Sequence, residues 1–179
     1  MIRRMLLACA CAALLGGCAA KLVPDDYTGP TAMVRDSSVN PAGSGQAGTG
    51  HSQYFVLAAV DRTPVQNSFS QTFAGAEGYT NFRAHERKVP VRPMEVTLRA
   101  IAYFPEGFKR QGGASGMDAV TTAEIQRTVS FEPVVGETYI VRGAADDRSA
   151  SAWIETAGGR RVTETAATIW PKGPGTATQ

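Results

Sequence analysis

Hydrophobic and polar residues alternate over short stretches of this chain, and glycine, proline and other turn-forming residues separate the stretches. The clearest stretch is 94–104, where every second residue is apolar and the residues between include Glu95 and Arg99. Since successive side chains of a strand point to opposite faces, this period of two predicts a half-buried β-strand. The uninterrupted apolar run 54–60 predicts a second strand, buried on both faces.

Shorter alternating segments predict further strands at 31–36, 125–131, 139–143, 150–155 and 161–164. Arg127 falls on the same face as Ile125 and Phe131, so its strand is expected at a sheet edge or beside a partner for the charge. The glycine pair at 158–159 predicts a hairpin between the last two strands.

These segments amount to about seven short strands without a convincing amphipathic helix. They predict an all-β fold, a single β-sandwich with one hydrophobic core over residues 31–170. The glycine-rich stretches 37–52 and 105–122 predict loops, and 69–78 is ambiguous, with room for a short helix. Residues 171–179, rich in proline, glycine and threonine, are expected to form a disordered tail.

The N-terminus has the parts of an export signal. Two arginines precede the apolar run 5–15, and Leu15-Gly16-Gly17-Cys18 resembles the lipobox of bacterial lipoproteins. The resemblance implies cleavage between Gly17 and Cys18 and attachment of a diacylglycerol and an acyl chain to the cysteine. An uncleaved transmembrane helix would need about 20 apolar residues, and this run is shorter.

Residues 1–17 are therefore predicted to be removed, and residues 18–30 to form a flexible tether. Of the 3 cysteines in the chain, only Cys18 remains after cleavage, so no intramolecular disulfide can form. Two or three acyl chains on one residue hold a protein durably on a membrane. Lipoproteins retained at the inner membrane of Gram-negative bacteria typically have aspartate after the cysteine. Ala19 at this position implies transfer to the outer membrane, on its periplasmic face.

Composition and charge narrow the classes of partner. Apolar residues make up 43% of the chain and charged residues 19%, which is typical of a globular protein. The net charge is +2, from 18 Lys and Arg against 16 Asp and Glu, and both excess positive charges lie in the signal segment. The mature chain is thus neutral, whereas a protein that binds nucleic acid needs a surplus of Lys and Arg. We expect no nucleic-acid partner.

Several motifs resemble a group of uncharacterised proteobacterial outer-membrane lipoproteins. They are Gly29-Pro30-Thr31-Ala32, Val34-Arg35-Asp36-Ser37, Tyr54-Phe55, Val60-Asp61, Val65-Gln66-Asn67-Ser68, Val89-Pro90-Val91, Phe131-Glu132-Pro133 and Ala152-Trp153-Ile154-Glu155. The resemblance covers most of residues 27–165 and implies an immunoglobulin-like, transthyretin-like or PEGA-like sandwich. It implies no activity and no catalytic residues. The long segment 105–122 departs from the family pattern.

A nucleotide site is not expected, although Gly43-Ser44-Gly45-Gln46-Ala47-Gly48 matches the GxGxxG pattern. The dinucleotide fingerprint needs a strand before it and a helix after it, so that the helix amides meet the pyrophosphate. Here a strand-like run follows instead, which favours a flexible loop. No cofactor is predicted.

Catalytic and metal chemistry has few candidates. His51 and His85 are the only histidines, and a histidine-type metal site usually combines two or three with carboxylates. A Ser-His-Asp triad can be assembled from Ser52 or Ser68, either histidine and Asp61, but no nucleophile elbow GxSxG occurs. We expect no enzyme, no catalytic residue and no metal site.

The sequence therefore predicts a lipid-anchored periplasmic β-sandwich with a non-catalytic binding or envelope-support role, contacting an envelope protein through a sheet edge or a loop. Trp153, on the outward register of its strand, is expected to be buried under a loop or to anchor a partner. Two alternatives stay open. One is a periplasmic hydrolase or metal-dependent enzyme using His51 or His85. The other is a carrier of a small hydrophobic ligand held between the sheets.

Overall fold

The computed structural model describes residues 21–40, 52–73, 82–108, 120–145 and 149–169. Cys18, His51, the glycine motif at 43–48 and the tail at 171–179 lie outside these residues. Within the described ranges, no helix is long and apolar enough to cross a membrane.

Ten strands and one short helix follow one another along the described chain. They are β1 (Thr31–Arg35), β2 (Ser37–Val39), β3 (Ser52–Val60), β4 (Thr63–Pro64), α1 (Ser68–Phe73), β5 (Glu86–Pro90), β6 (Met94–Phe108), β7 (Val120–Phe131), β8 (Thr138–Ala145), β9 (Ser149–Thr156) and β10 (Ala166–Ile169).

The strands form two sheets, which confirms the all-β class. The first sheet has the order β10-β9-β8-β1-β5, and the second has the order β2-β3-β6-β7, with β4 paired to β3. Neighbouring strands are antiparallel except β1 and β8, which are parallel. The chain passes from the first sheet to the second at Asp36, between β1 and β2.

The predicted number of about seven strands is wrong. Strands β2, β4, β5 and β10 were not predicted, because they have between two and five residues and too little alternation to show a period. The predicted strand 161–164 contributes only a single bridge, between Glu155 and Arg161. The chain does turn at Gly159, whose φ is +86°, but the strand that pairs with β9 is β10.

The main core fills the space between the sheets. In the second sheet its side chains come from the inner face of β3 and β6, and in the first sheet mainly from β1, β8 and β9. The larger fully buried members are Phe55, Leu57, Leu98, Val34, Tyr139 and Ile154. Gly143 of β8 lets the sheets approach closely, because a Cβ there would lie 2.5 Å from the Phe55 ring.

The outer face of the second sheet carries a second apolar cluster. Tyr54 and Ile101 are fully buried there, Tyr103 is nearly so, and Phe69 and Phe82 pack over them. The run 54–60 is thus buried on both faces as predicted, apart from two half-buried alanines. The half-buried interpretation of 94–104 is wrong for the stretch 101–103, because α1 and residue 82 cover a face expected to meet solvent.

Strand β7 forms one edge of the second sheet, which is one of the two positions that Arg127 allowed. Leu98 faces Arg127 across the register, and the arginine is nonetheless exposed. A charge that points inward from an edge strand discourages pairing with another chain. The opposite sheet's edge strand β5 ends in Pro90, which has no amide hydrogen to donate.

Candidate functional site

A buried ion pair links the two sheets to helix α1. The Arg87 Nη2 atom lies 2.7 Å from Asp36 Oδ2, and the two side chains are 8% and 0% exposed. The carboxylate also accepts hydrogen bonds from the backbone N–H groups of Leu57 in β3 and Ser68 in α1. Arg87 donates a further bond to the Leu57 carbonyl. The pair therefore holds β1, β3, β5 and α1 in one arrangement.

Asn67 caps the helix that this pair positions. Its Oδ1 atom accepts a hydrogen bond from the backbone N–H of Ser70 at 3.1 Å, in the manner of an N-cap residue. The helix N-terminus and the Asp36 carboxylate also have complementary charges. A six-residue helix has little stability of its own, so these contacts define where α1 lies.

Ser68, His85 and Asp36 come together, but without the geometry of a catalytic triad. The Ser68 hydroxyl accepts a hydrogen bond from the backbone N–H of His85, and the His85 Nδ1 atom lies 3.2 Å from the Gln71 side-chain amide. Asp36 contacts the Ser68 backbone and Arg87. In a triad the imidazole ring would bond the serine hydroxyl and the carboxylate would orient the ring.

The surroundings of His85 favour its neutral form. Partial burial lowers the pKa of the ring, and the nearby Arg87 charge lowers it further, while Asp36 acts in the opposite direction. The shift follows from the position of His85 against a buried framework, where a charged imidazolium would be poorly solvated.

Asp61, the carboxylate proposed for a triad, lies elsewhere. It occupies the turn between β3 and β4, where it pairs with Arg92 and accepts a hydrogen bond from the Glu95 backbone N–H. Arg92 and this backbone bond hold the pKa of Asp61 below its usual value. Ser52 is buried at the start of β3. Across the part of the chain with described coordinates, no three His, Cys, Asp or Glu residues cluster as metal ligands.

A groove of about 620 Å³ lies beside α1 on the outer face of the second sheet. We call it the α1 groove. Its floor contains Ala58 and Ala59, small residues of β3 next to a register shift in the pairing with β6. The polar side chains around it include Arg62, Gln66, Asn67, Thr97, Arg99 and Gln126. The combination of a small apolar floor and amide, hydroxyl and guanidinium groups suits a hydrogen-bonding ligand.

The two arginines of the α1 groove differ in their freedom. Arg99 pairs with Glu124, and its guanidinium lies 5.8 Å from the centre of the Phe69 ring, while its buried Nε–H has no acceptor among the described residues. Arg62 is 90% exposed, and its Nε atom is 3.9 Å from Glu95. The Arg62 backbone has a φ of +67°, an unusual conformation for a residue other than glycine.

Trp153 is half-buried on the outer face of the first sheet. The sequence predicted either burial under a loop or an exposed anchor for a partner, and the observed exposure lies between the two. The Arg161 guanidinium lies 4.1 Å from the centre of its ring, and its Nε1–H donates to Glu155. Glu155 also pairs with Arg142 at 3.2 Å. One face of the indole is therefore occupied by a side chain of the same protein.

Sequence reasoning did not identify the Asp36–Arg87 pair or the α1 groove. Asp36 follows the end of β1, and Arg87 is a charged residue at an inward position of a strand that was not predicted, so nothing in the pattern marked the two as partners. The left-handed backbone at Asp61 and Arg62, which directs the Arg62 side chain, was not predicted, because glycine and asparagine are the usual signals for it.

Comparisons with protein-family models, curated proteins and solved structures find no match to this chain.

Proposed function

We propose that the protein is a lipid-anchored lipoprotein of the outer membrane whose β-sandwich, on the periplasmic side, binds a partner protein of the envelope without catalysis. The observation that carries the binding role is the α1 groove, built on the rigid framework of Asp36 and Arg87. The lipobox-like Leu15-Gly16-Gly17-Cys18 supports the anchor. We also propose that the two sheets form a transthyretin-like or PEGA-like sandwich.

The chemistry of the α1 groove favours a peptide segment of the partner. The Gln66 and Gln126 side chains offer amide donors and acceptors for a peptide backbone, above a floor of small apolar residues. The exposed Arg62 is placed to meet an acidic side chain. Pro90 in β5 and Arg127 in β7 make strand addition at these two edges a poorer mechanism than binding in the groove.

The two alternatives have less support. For a hydrolase, the described histidine makes its ring contact with Gln71, and Ser68 meets its backbone instead. For a carrier, the space between the sheets is occupied by the tightly buried side chains of the core.

The anchor is tested by acylation in cells. Palmitate should label the wild-type protein and fail to label the Cys18→Ser variant, which should appear in the soluble fraction. Palmitate labelling that persists in Cys18→Ser would refute the assignment of the lipid to this residue.

The binding surface is tested by photocrosslinking in intact cells. A benzophenone amino acid at Gln126, in the groove, should crosslink one envelope protein, and the same probe at the exposed Lys88 of β5 should not. Arg62→Glu should abolish the product, whereas Arg160→Glu, at another exposed arginine, should leave it intact. Equal crosslinking from both probe positions, or none from Gln126, would exclude the groove as the binding surface.

A further inference from the structure

Three of the four exposed large apolar side chains of the described residues gather at one end of the sandwich. Val134 and Val135 are 57% and 63% exposed, and Tyr27 is 38% exposed. The Gly136 N–H next to the valines donates to the Thr31 carbonyl, and the Tyr27 hydroxyl donates to the Pro30 carbonyl. These contacts place all three side chains at the start of β1, which we call the near end.

The fourth exposed large apolar residue, Val39, lies far from the near end. It faces Gln53, which in turn faces Ala102 of β6. We call residues 133–136, which carry Val134 and Val135, the valine turn. It follows Phe131 of β7, and Phe131 pairs with Met94 of β6, so the near end lies at the level of Met94. At about 3.3 Å per residue, roughly 26 Å of strand separates the two levels.

The valine turn is rigid and presents its side chains outward. The Val134 N–H donates to the Tyr139 hydroxyl at 2.9 Å, and Tyr139 is buried in the core against Phe131. Pro133, just before the turn, is buried as well. The turn therefore cannot fold its valines inward without breaking contacts of the core.

The proposed lipid lies close to the folded domain. Leu22, in a segment assigned from the sequence to a flexible tether, packs against the main core. Cys18 is four residues earlier in the chain, so at most about 14 Å separates the two Cα atoms. An anchor this short cannot hold the sandwich away from the bilayer, and one of its surfaces must face the lipid.

We propose that the near end faces the bilayer and that Val134 and Val135 insert into the lipid interface, so that the opposite end, where Val39 lies, points into the periplasm. This inference rests on the proposed lipid anchor. Charged side chains of both signs lie near this end: Asp25 pairs with Lys21, and Asp26, Glu132 and Glu137 are accompanied by Arg92, which follows Val91 beside Pro30. The basic side chains do not outnumber the acidic ones among these residues, so attraction to anionic headgroups does not drive the contact. The contact rests on the exposed apolar side chains, suits zwitterionic lipid, and is insensitive to salt.

Spin-label accessibility tests this orientation. Once acylated, Cys18 has no free thiol, and it is the only cysteine after cleavage, so Val135→Cys and Val39→Cys each provide a single labelling site. The lipidated protein is reconstituted into phosphatidylcholine vesicles, and collisions of each label with oxygen and with a water-soluble nickel chelate are compared. We expect the Val135→Cys label to be accessible to oxygen and severalfold less accessible to nickel than the Val39→Cys label, at low and at high salt.

The outcomes separate the inference from its premise. Mass spectrometry of the mature N-terminal peptide first reports the lipid on Cys18. Its absence would overturn the anchor and the orientation together. With the lipid present, a Val135→Cys label accessible to nickel would overturn the orientation alone. A label protected from both reagents would overturn it too, since the valines would then contact protein.

Discussion

The two faces of the second sheet are organised by different forces. Its inner face joins the main core, where both sheets contribute apolar side chains such as Leu57 and Leu98. Among the described residues, its outer face is covered by α1 and the chain near residue 82, over a small cluster that includes Tyr54 and Ile101. Burial of apolar area thus suffices on the inner face. On the outer face a short helix needs directional contacts, from Asp36, Arg87 and Asn67, to stay in place.

The largest effect is expected from the buried ion pair. Asp36→Ala leaves Arg87 buried without its countercharge, and this should lower the free energy of unfolding by about 3–5 kcal/mol. The matched control is Glu86→Ala, which removes the half-exposed pair between Arg35 and Glu86 one residue along both strands and should cost about 0–1 kcal/mol. Urea unfolding followed by tryptophan fluorescence measures both. If both variants lost a similar amount of free energy of unfolding, the buried pair would contribute no more than an exposed one, and the position of α1 on the outer face would not depend on it.

Truncation of equivalent apolar residues compares the two faces directly. Leu98→Ala opens a cavity between two packed sheets and should cost about 2–5 kcal/mol. Ile101→Ala lies on the same strand and is equally buried, but a short helix can settle into the space, so its cost should be smaller. The helix should also loosen, with faster hydrogen exchange at its amides and at the Ser68 N–H. A larger loss from Ile101→Ala than from Leu98→Ala would reverse the comparison.

A stabilising substitution is expected at the rim of the α1 groove. Arg62→Gly places glycine at a φ of +67°, and relief of the left-handed conformation should raise the free energy of unfolding by about 1 kcal/mol. The same variant should lose the partner crosslink at Gln126, since the guanidinium is gone. Stabilisation with undiminished crosslinking would mean that Arg62 has no part in binding.

The smallest effect concerns pH. Because the pKa of His85 is lower in the folded protein than its ordinary value of 6.5, the unfolded chain binds more protons in the interval between the two values. Stability is therefore complete above pH 6.5 and falls as the pH decreases through that interval. His85→Gln should remove this part of the pH dependence. Asp61 also has a lowered pKa, but its contribution is lost only below its ordinary value of 3.8, so the two are distinguishable in urea titrations at successive pH values.

The strand pattern alone predicted the all-β class and the two-sided burial of β3, because alternation reports directly on which side chains leave water. For β7 it left a choice between an edge position and a partner for Arg127. The same reasoning predicted too few strands, since β2 and β4 have only three and two residues, which is too short for alternation to show.

Only the tertiary structure decided which faces are covered and which charges meet. Asp36 and Arg87 are 51 residues apart in the chain, and nothing local marks them as partners. Ile101 and Tyr103 belong to a buried cluster against which Phe69 of α1 and Phe82 pack, and the alternation of their own strand does not encode this cover. A sequence pattern reports the local preference of each segment for water, whereas the packing of one segment on another depends on contacts that close only when the whole chain folds.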